Sequence, residues 1–400
     1  MTERKLELAD IFRSLDASFL DSLPAAQRRV VEDITACRTA ALGGHLKQCD
    51  QCGYREIAYN SCRDRHCPKC QAAARAEWMQ ARAEELLPVN YFHVVFTLPD
   101  QLSLLALLNK RVIYNLLFRA ASETLLEIAA DPKRLGAKIG FFAVLHTWGQ
   151  TLQAHPHLHC VIPGGGLSAD NSRWIACRPG FFLPVKVLSR LFRGKFIASL
   201  CEARDQGKLT YAGQLSHLAE AGGFNWLLRE LRRIEWVVYA KPPFGGPEQV
   251  LKYLARYTHR VAISNGRLLE FGDHKVTFSY KDYAAGNIAK TMTLDICEFA
   301  RRFLLHVLPR GFVRIRYYGF LANGCRAKKL ELCRRLLSAG KTEPEPINEV
   351  QKDGDQGDLS TAPKTCPNCK QGQMRIVEKI MGTRHADVSA AFSHPTANTS

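Results

Sequence analysis

The chain is 400 residues long, 46% hydrophobic, carries a formal charge of +17 and contains 14 cysteines. That length can hold one large core or two to three domains, and the absence of any run of about 18 apolar residues argues against a transmembrane helix. The charge favours polyanionic partners, nucleic acid before an anionic membrane surface. Residues 341–364 hold six acids against three lysines, so the positive excess lies in the first 340 residues.

The N-terminal stretch MTERKLELADIFRSL is charged and lacks the apolar centre and cleavage site of a signal peptide. A cytoplasmic protein keeps its thiols reduced, so clustered cysteines read as metal ligands. The scattered Cys37, Cys177, Cys201, Cys297 and Cys333 read as small buried residues.

In chain order, Leu6, Ile11, Leu15 and Phe19 recur at helical spacing, and Pro24 starts a second helix that runs to Ala41 before Gly43-Gly44. Residues 45–74 are polar and rich in Cys and His, with too little apolar material for a core without metal. YFHVVFTLP (91–99) reads as a buried strand stopped by Pro99, 101–129 as helices, and 138–148 and 157–163 as adjacent strands. A helix over 184–203 and a strand over 234–240 follow. Pro247 then opens a helix through EQVLKYLARYTHR. VAISN, RLLEF, KVTFSY and KTMTL read as short strands, DICEFARRFLLHVLP as a helix and FVRIRYYGF as a last strand. The pattern is that of an α+β fold with a mainly antiparallel sheet and packed helices. It divides the chain into a helical and metal-binding module over 1–90, a main domain over 91–340, and a disordered linker with a short C-terminal tail over 341–400.

Two C-x-x-C knuckles, Cys49/Cys52 and Cys67/Cys70, are separated by 14 residues, close to the spacing of a four-cysteine zinc ribbon. Gly53 follows one knuckle and Pro68 lies inside the other, as such turns require. Structural Zn²⁺ is expected there. Cys62, His66 and His45 are additional candidates, for a second site or for one thiolate's place, with a phosphate contact as the alternative. Arg55, Arg63, Arg65 and Lys69 suggest that the module presents a DNA-contacting surface. The C-terminal Cys366/Cys369 is half a knuckle with no evident partner in the sequence.

His155-Pro-His157-Leu-His159 places imidazoles at alternate residues. On a strand, positions i and i+2 share a face, so His157 and His159 can bind one ion. Pro156 cannot donate to a sheet, which puts His155 before the regular strand and makes it the weaker ligand. Leu158 and the run Cys160-Val161-Ile162 are expected to face the core. Two imidazoles leave positions open for phosphate oxygens and suit Mg²⁺ or Mn²⁺, though zinc is also acceptable. Tyr253 and Tyr257 lie one helical turn apart. They either pack with their hydroxyls at the surface or, beside Lys252, Arg256, His259 and Arg260, serve as nucleophiles toward a phosphodiester.

The ordered set YNSCRDRHCPKCQ, YFHVVFTLP, HPHLHCVIPGGG and YLARYTHRVAIS, spread over about residues 10–335, resembles the insertion-sequence-ninety-one family of transposases. The resemblance implies a zinc-binding N-terminal domain followed by a Rep/relaxase-like HUH (His-hydrophobe-His) nuclease domain. It implies His157 and His159 as ligands of the catalytic divalent ion, and Tyr253 and Tyr257 as the pair that cleaves and rejoins single DNA strands through 5′-phosphotyrosine links in rolling-circle transposition. The third ligand stays open among His155, His146 and His259. The implied partner is single-stranded or melted DNA at the element ends and target, in a bacterial, nucleoid-associated setting without a membrane. A homo-oligomer is left open. A rolling-circle replication initiator or a relaxase would share the chemistry. The zinc module and the lack of a GxxxxGK[ST] motif favour the transposase. A non-catalytic zinc DNA-binding regulator is the competing reading from another class.

Overall fold

The computed structural model describes residues 5–72, 74, 82, 84–180, 182–244, 261–283, 285–338 and 365–383. Three short helices open the chain, α1 (Leu8–Arg13), α2 (Ala17–Ser22) and α3 (Ala25–Ala36). Asp16 caps α2 by accepting from the Phe19 amide at 2.7 Å, and Pro24 precedes α3, each a regular way to start a helix. The helix expected to run from Pro24 to Ala41 is α3, and it ends earlier, at Ala36. Strands β1 (Gly44–Cys49) and β2 (Arg55–Tyr59) form a hairpin around the first cysteine knuckle.

Next come β3 (Tyr91–Thr97), α4 (Ser103–Leu108), α5 (Lys110–Ala130), β4 (Gly140–Trp148) and β5 (Ala154–Pro163). A small ribbon, β6 (Gly165–Leu167) with β7 (Trp174–Ala176), is followed by α6 (Val185–Asp205), α7 (Ala221–Arg233) and β8 (Val238–Phe244). The last of these starts four residues after the expected 234. Beyond 260 lie β9 (Leu268–Gly272), β10 (Lys275–Asp282), β11 (Ile288–Asp295), α8 (Ile296–Leu304), β12 (Ile315–Gly319), α9 (Arg326–Ser338) and β13 (Met374–Ile380). VAISN, expected as a strand, makes bends instead. Val261, Ala262 and Ile263 are buried there without strand partners, so an apolar run alone was a misleading strand signal.

The principal sheet has the order β12-β4-β5-β3-β8, with every neighbouring pair antiparallel. One face buries Phe92, Val94, Phe96, Phe141, Ala143, Leu145, Leu158, Cys160 and Ile162 in the core shared with α4 to α7. Tyr91, Phe142, Val144 and Val161 form a smaller cluster with Ile315 and Tyr317. The period-two alternation of these strands therefore separates a helix-covered face from a second face. The fold is α+β, as expected from the sequence.

The chain divides into two compact units, each assembled from separated segments. One unit comprises Met1–Glu77, Ile263–Val307 and Asp353–Ser400, and the other Trp78–Ala262 and Leu308–Lys352. Side-chain contacts explain why 263–307 joins the N-terminal unit. Phe12 packs edge-on against Phe303 with centroids 5.5 Å apart, and the Leu8 amide donates to Asn265 Oδ1 at 3.2 Å. Among the described residues, no helix is long and apolar enough to cross a membrane.

Candidate metal centres

The histidine motif sits on β5, the middle strand of the principal sheet. Its register sets His157 opposite His146 and His159 opposite Val144 on β4. The ligand nitrogens of His146, His157 and His159 consequently all lie within 4.8 Å of one another. His157 Nε2 is 3.1 Å from His159 Nε2, close to the spacing of two nitrogens about 2.1 Å from one ion. Leu158, between them, is fully buried on the helix-covered face. The expectation for the following run is split by the pleat, with Cys160 and Ile162 joining Leu158 and Val161 lying in the other cluster.

Of the two candidates for a third imidazole that lie among the described residues, His146 is the one that stands with His157 and His159. His155 lies within β5 rather than ahead of it, and Pro156 is tolerated because β5 carries an extra residue there, with His155 and Pro156 set against the single β4 residue between His146 and Trp148. The His155 backbone carbonyl accepts from His157 Nδ1 at 2.6 Å. A carbonyl can only accept, so this bond fixes the His157 proton on Nδ1 and leaves Nε2 as the donor atom for an ion. Burial lowers the pKa of the His155 imidazole itself. His259, Tyr253 and Tyr257 lie outside the described residues.

A fourth histidine was missed in the sequence. His93 on β3 is 1% exposed, and its Nε2 lies 2.8 Å from His159 Nδ1 with the two rings stacked. Its signal was present in YFHVVFTLP, where a polar ring interrupts a buried strand and requires a partner.

The cysteines group differently from the spacing argument. Cys67 and Cys70 stand with Cys62 and Cys37, and Cys49 and Cys52 stand with Cys366 and Cys369. The two knuckles of the ribbon module thus serve separate clusters. In the first, Cys70 Sγ is 3.6 Å from Cys37 Sγ and 3.5 Å from Cys62 Sγ. Tetrahedral zinc with bonds near 2.3 Å sets its sulfurs about 3.8 Å apart, so this donor set fits. Cys62 was among the additional candidates. Cys37, read as a small buried residue, caps the end of α3. Hydrogen bonds from neighbouring thiols push Cys37 down to about 7 and Cys70 lower still, while the same contacts raise Cys62. Four facing sulfurs cannot all ionise without a cation among them. His45 and His66 belong to neither cluster.

A groove of about 1010 Å³ runs along the β1–β2 hairpin, lined by Arg38, His45, Lys47, Tyr59, Arg63 and Ile376 among others. Arg38 and Arg63 each directly follow a ligand of the first cluster, and both hold left-handed backbone, with φ of 59° and 56°. Non-glycine residues adopt that conformation at a cost of about 1 kcal/mol or more, and such positions concentrate at functional sites.

Comparison with known proteins agrees with this arrangement. Residues 8–98 match the family described as "Transposase zinc-binding domain", and residues 140–329 match the one described as "Putative transposase". Over 381 residues the chain is 57% identical to "Putative transposase y4qJ" of Sinorhizobium fredii, covering 94% of this chain and 96% of that protein. It is 27% identical over 325 residues to "Transposase for insertion sequence element IS801" of Pseudomonas savastanoi pv. phaseolicola, covering 79% and 76% of the two. No solved structure matches the chain. A zinc-binding module with a fitting tetrathiolate, ahead of a matched transposase domain, places this chain in the insertion-sequence-ninety-one family of transposases.

Proposed function

We propose that this transposase cleaves and rejoins single DNA strands through 5′-phosphotyrosine intermediates during rolling-circle transposition of an insertion sequence. The observation that carries the reading is the convergence of His146, His157 and His159 on one point. These three would hold a divalent ion, Mg²⁺ or Mn²⁺, which supplies positive charge to the oxygens of a scissile phosphodiester. Imidazole donors favour the transition metal of the two.

Tyr253 and Tyr257 are the proposed nucleophiles. A phenol oxygen bonds to phosphorus, the bond from phosphorus to the 3′ oxygen breaks, the leaving oxygen takes up a proton and the phenol proton passes to solvent. One phosphate ester replaces another, so a 3′-hydroxyl can reverse the exchange without external energy. The second tyrosine repeats the step at the target or the other element end. Cys37, Cys62, Cys67 and Cys70 would hold structural Zn²⁺, with Arg38, Arg63 and Lys47 against backbone phosphates.

The test incubates the protein with a labelled single-stranded element end and Mn²⁺, followed by a denaturing gel. The wild type is expected to give a covalent adduct and the Tyr253→Phe/Tyr257→Phe variant none. An adduct that survives in the double variant overturns the nucleophile assignment. No adduct in the wild type points instead to a non-catalytic zinc DNA-binding regulator. Mobilisation of a marked element then separates a transposase from a replication initiator or relaxase, which would form the same adduct.

A further inference from the structure

We infer that Cys49, Cys52, Cys366 and Cys369 form a second tetrathiolate metal site, which clasps the C-terminal segment onto the N-terminal ribbon. Both halves belong to one compact unit. The residues that close the site, 366 and 369, lie beyond both family matches.

Backbone pairing brings the halves together. Strand β13 runs antiparallel to β1 from Gly44↔Ile380 to Cys49↔Met374, completing the sheet β13-β1-β2. Beyond the last pair, the Asp50 amide donates to the Gln373 carbonyl at 3.1 Å, and the Gln373 amide donates to Asp50 Oδ1 at 2.9 Å. The loop 366–372 is thereby held over the first knuckle.

The sulfurs meet at ion-sharing distances, with Cys52 Sγ 3.6 Å from Cys366 Sγ and Cys49 Sγ 3.7 Å from Cys369 Sγ. These match the edge of a tetrahedron around zinc and exceed the roughly 2 Å of a disulfide. The two knuckles are alike in their backbones. In each, the residue after the second cysteine is left-handed, Gly53 at φ 72° and Lys370 at φ 57°. Amides point at the sulfurs, Gln51 N at 3.4 Å from Cys49 Sγ and Gly372 N at 3.3 Å from Cys369 Sγ, as they do when thiolates need charge compensation beyond their ion. Gly372 has no room for a side chain, since a Cβ there would lie 2.4 Å from Cys49 Sγ. Two matched knuckles with tetrahedral sulfur spacing specify a closed, structural site with no open coordination position. A thiophilic ion such as zinc is its ligand.

The site is tested on the full-length protein reconstituted with Co²⁺ under reducing conditions. Thiolate-to-cobalt charge-transfer absorbance reports sulfur ligation alone, so binding at the histidines does not contribute. The wild type is expected to show the amplitude of two tetrathiolate sites per chain. Cys366→Ser/Cys369→Ser should show half of it with unchanged far-ultraviolet circular dichroism. Gly372→Ala should leave half of the cobalt lost faster to a chelator and the other half unaffected. Amplitude for one site in the wild type overturns the proposal, as does full amplitude in the double cysteine variant. One site, together with four thiols that in protein purified without reductant stay unreactive toward a thiol reagent until reduced, would assign these cysteines to disulfides instead. None of these readouts involves the tyrosines, so the proposal stands or falls apart from the strand-transfer chemistry.

Discussion

Replacing His93 with leucine removes the nitrogen that faces His159 Nδ1 at 2.8 Å, in a position that is 1% exposed. Two effects follow. Loss of a buried hydrogen-bond partner costs about 1–3 kcal/mol of folding stability. Loss of the group that orients a ligating imidazole typically lowers metal affinity about 10- to 100-fold, or roughly 1.4–2.7 kcal/mol. The reasoning is geometric. His157 is oriented by a carbonyl on its own strand, whereas His159 meets a ring from the neighbouring strand β3, diagonally, since His159 itself pairs with Val95 and His93 with Val161. The assay is covalent adduct yield as a function of Mn²⁺ concentration. His93→Leu should raise the half-saturating Mn²⁺ about 10- to 100-fold while leaving the yield at saturation near that of the wild type. His93→Gln, which keeps a hydrogen-bonding side chain, should recover part of the affinity. An unchanged midpoint in His93→Leu would refute the positioning role, and so would an equal loss in both variants.

Two further outcomes are expected. Arg38→Ala with Arg63→Ala should weaken DNA binding across sequences alike and flatten its dependence on the logarithm of salt concentration by about 1.4 for single strands, two phosphate contacts at about 0.7 each. Fluorescence anisotropy at several salt concentrations checks this, and an unchanged slope would remove these arginines from the interface. Lys110 stands in the first turn of α5, where a cation opposes the helix dipole, and burial pushes its ammonium down to about 8 from an ordinary 10.5. A base with a depressed folded pKa reduces stability below that pKa, and the penalty is lifted as pH rises from about 8 to 10.5. Lys110→Met should therefore remove the rise in stability between about pH 8 and 10.5 that the wild type shows in thermal melts. A pH dependence unchanged by the substitution would assign that rise to other groups.

Much of the histidine site was legible because it rests on strand periodicity, a local property. Residues i and i+2 of HPHLH share a face, and Leu158 between them turns to the core as alternation demands. His146 was harder to single out because its contribution depends on the register of β4 against β5, which a bulge shifts. The cysteines show the same limit more sharply. Each C-x-x-C knuckle was legible as a turn, yet which knuckles face one another depends on chain segments separated by 314 and 320 residues. Spacing favoured the nearer pairing, and sheet pairing between β1 and β13 decided otherwise. Cys37 resembled a core cysteine because it follows an amphipathic helix, and only the return of the chain at residues 62–70 brings sulfurs to it.

The antiparallel pairing of β13 with β1 also has a consequence in time. During synthesis the ribosome releases β1, ending at Cys49, some 325 residues before it reaches Met374 at the start of β13 (374 − 49). At about 5–20 residues per second that interval is roughly 15–65 s. Throughout it, one edge of the nascent hairpin has unpaired amides and carbonyls, an invitation to wrong strand partners. A message cut short by a premature stop beyond residue 340 would still encode the five-stranded sheet with its histidines, yet leave the ribbon permanently without its third strand. Completion of the N-terminal module is thus coupled to translation of a segment some 325 residues downstream of it.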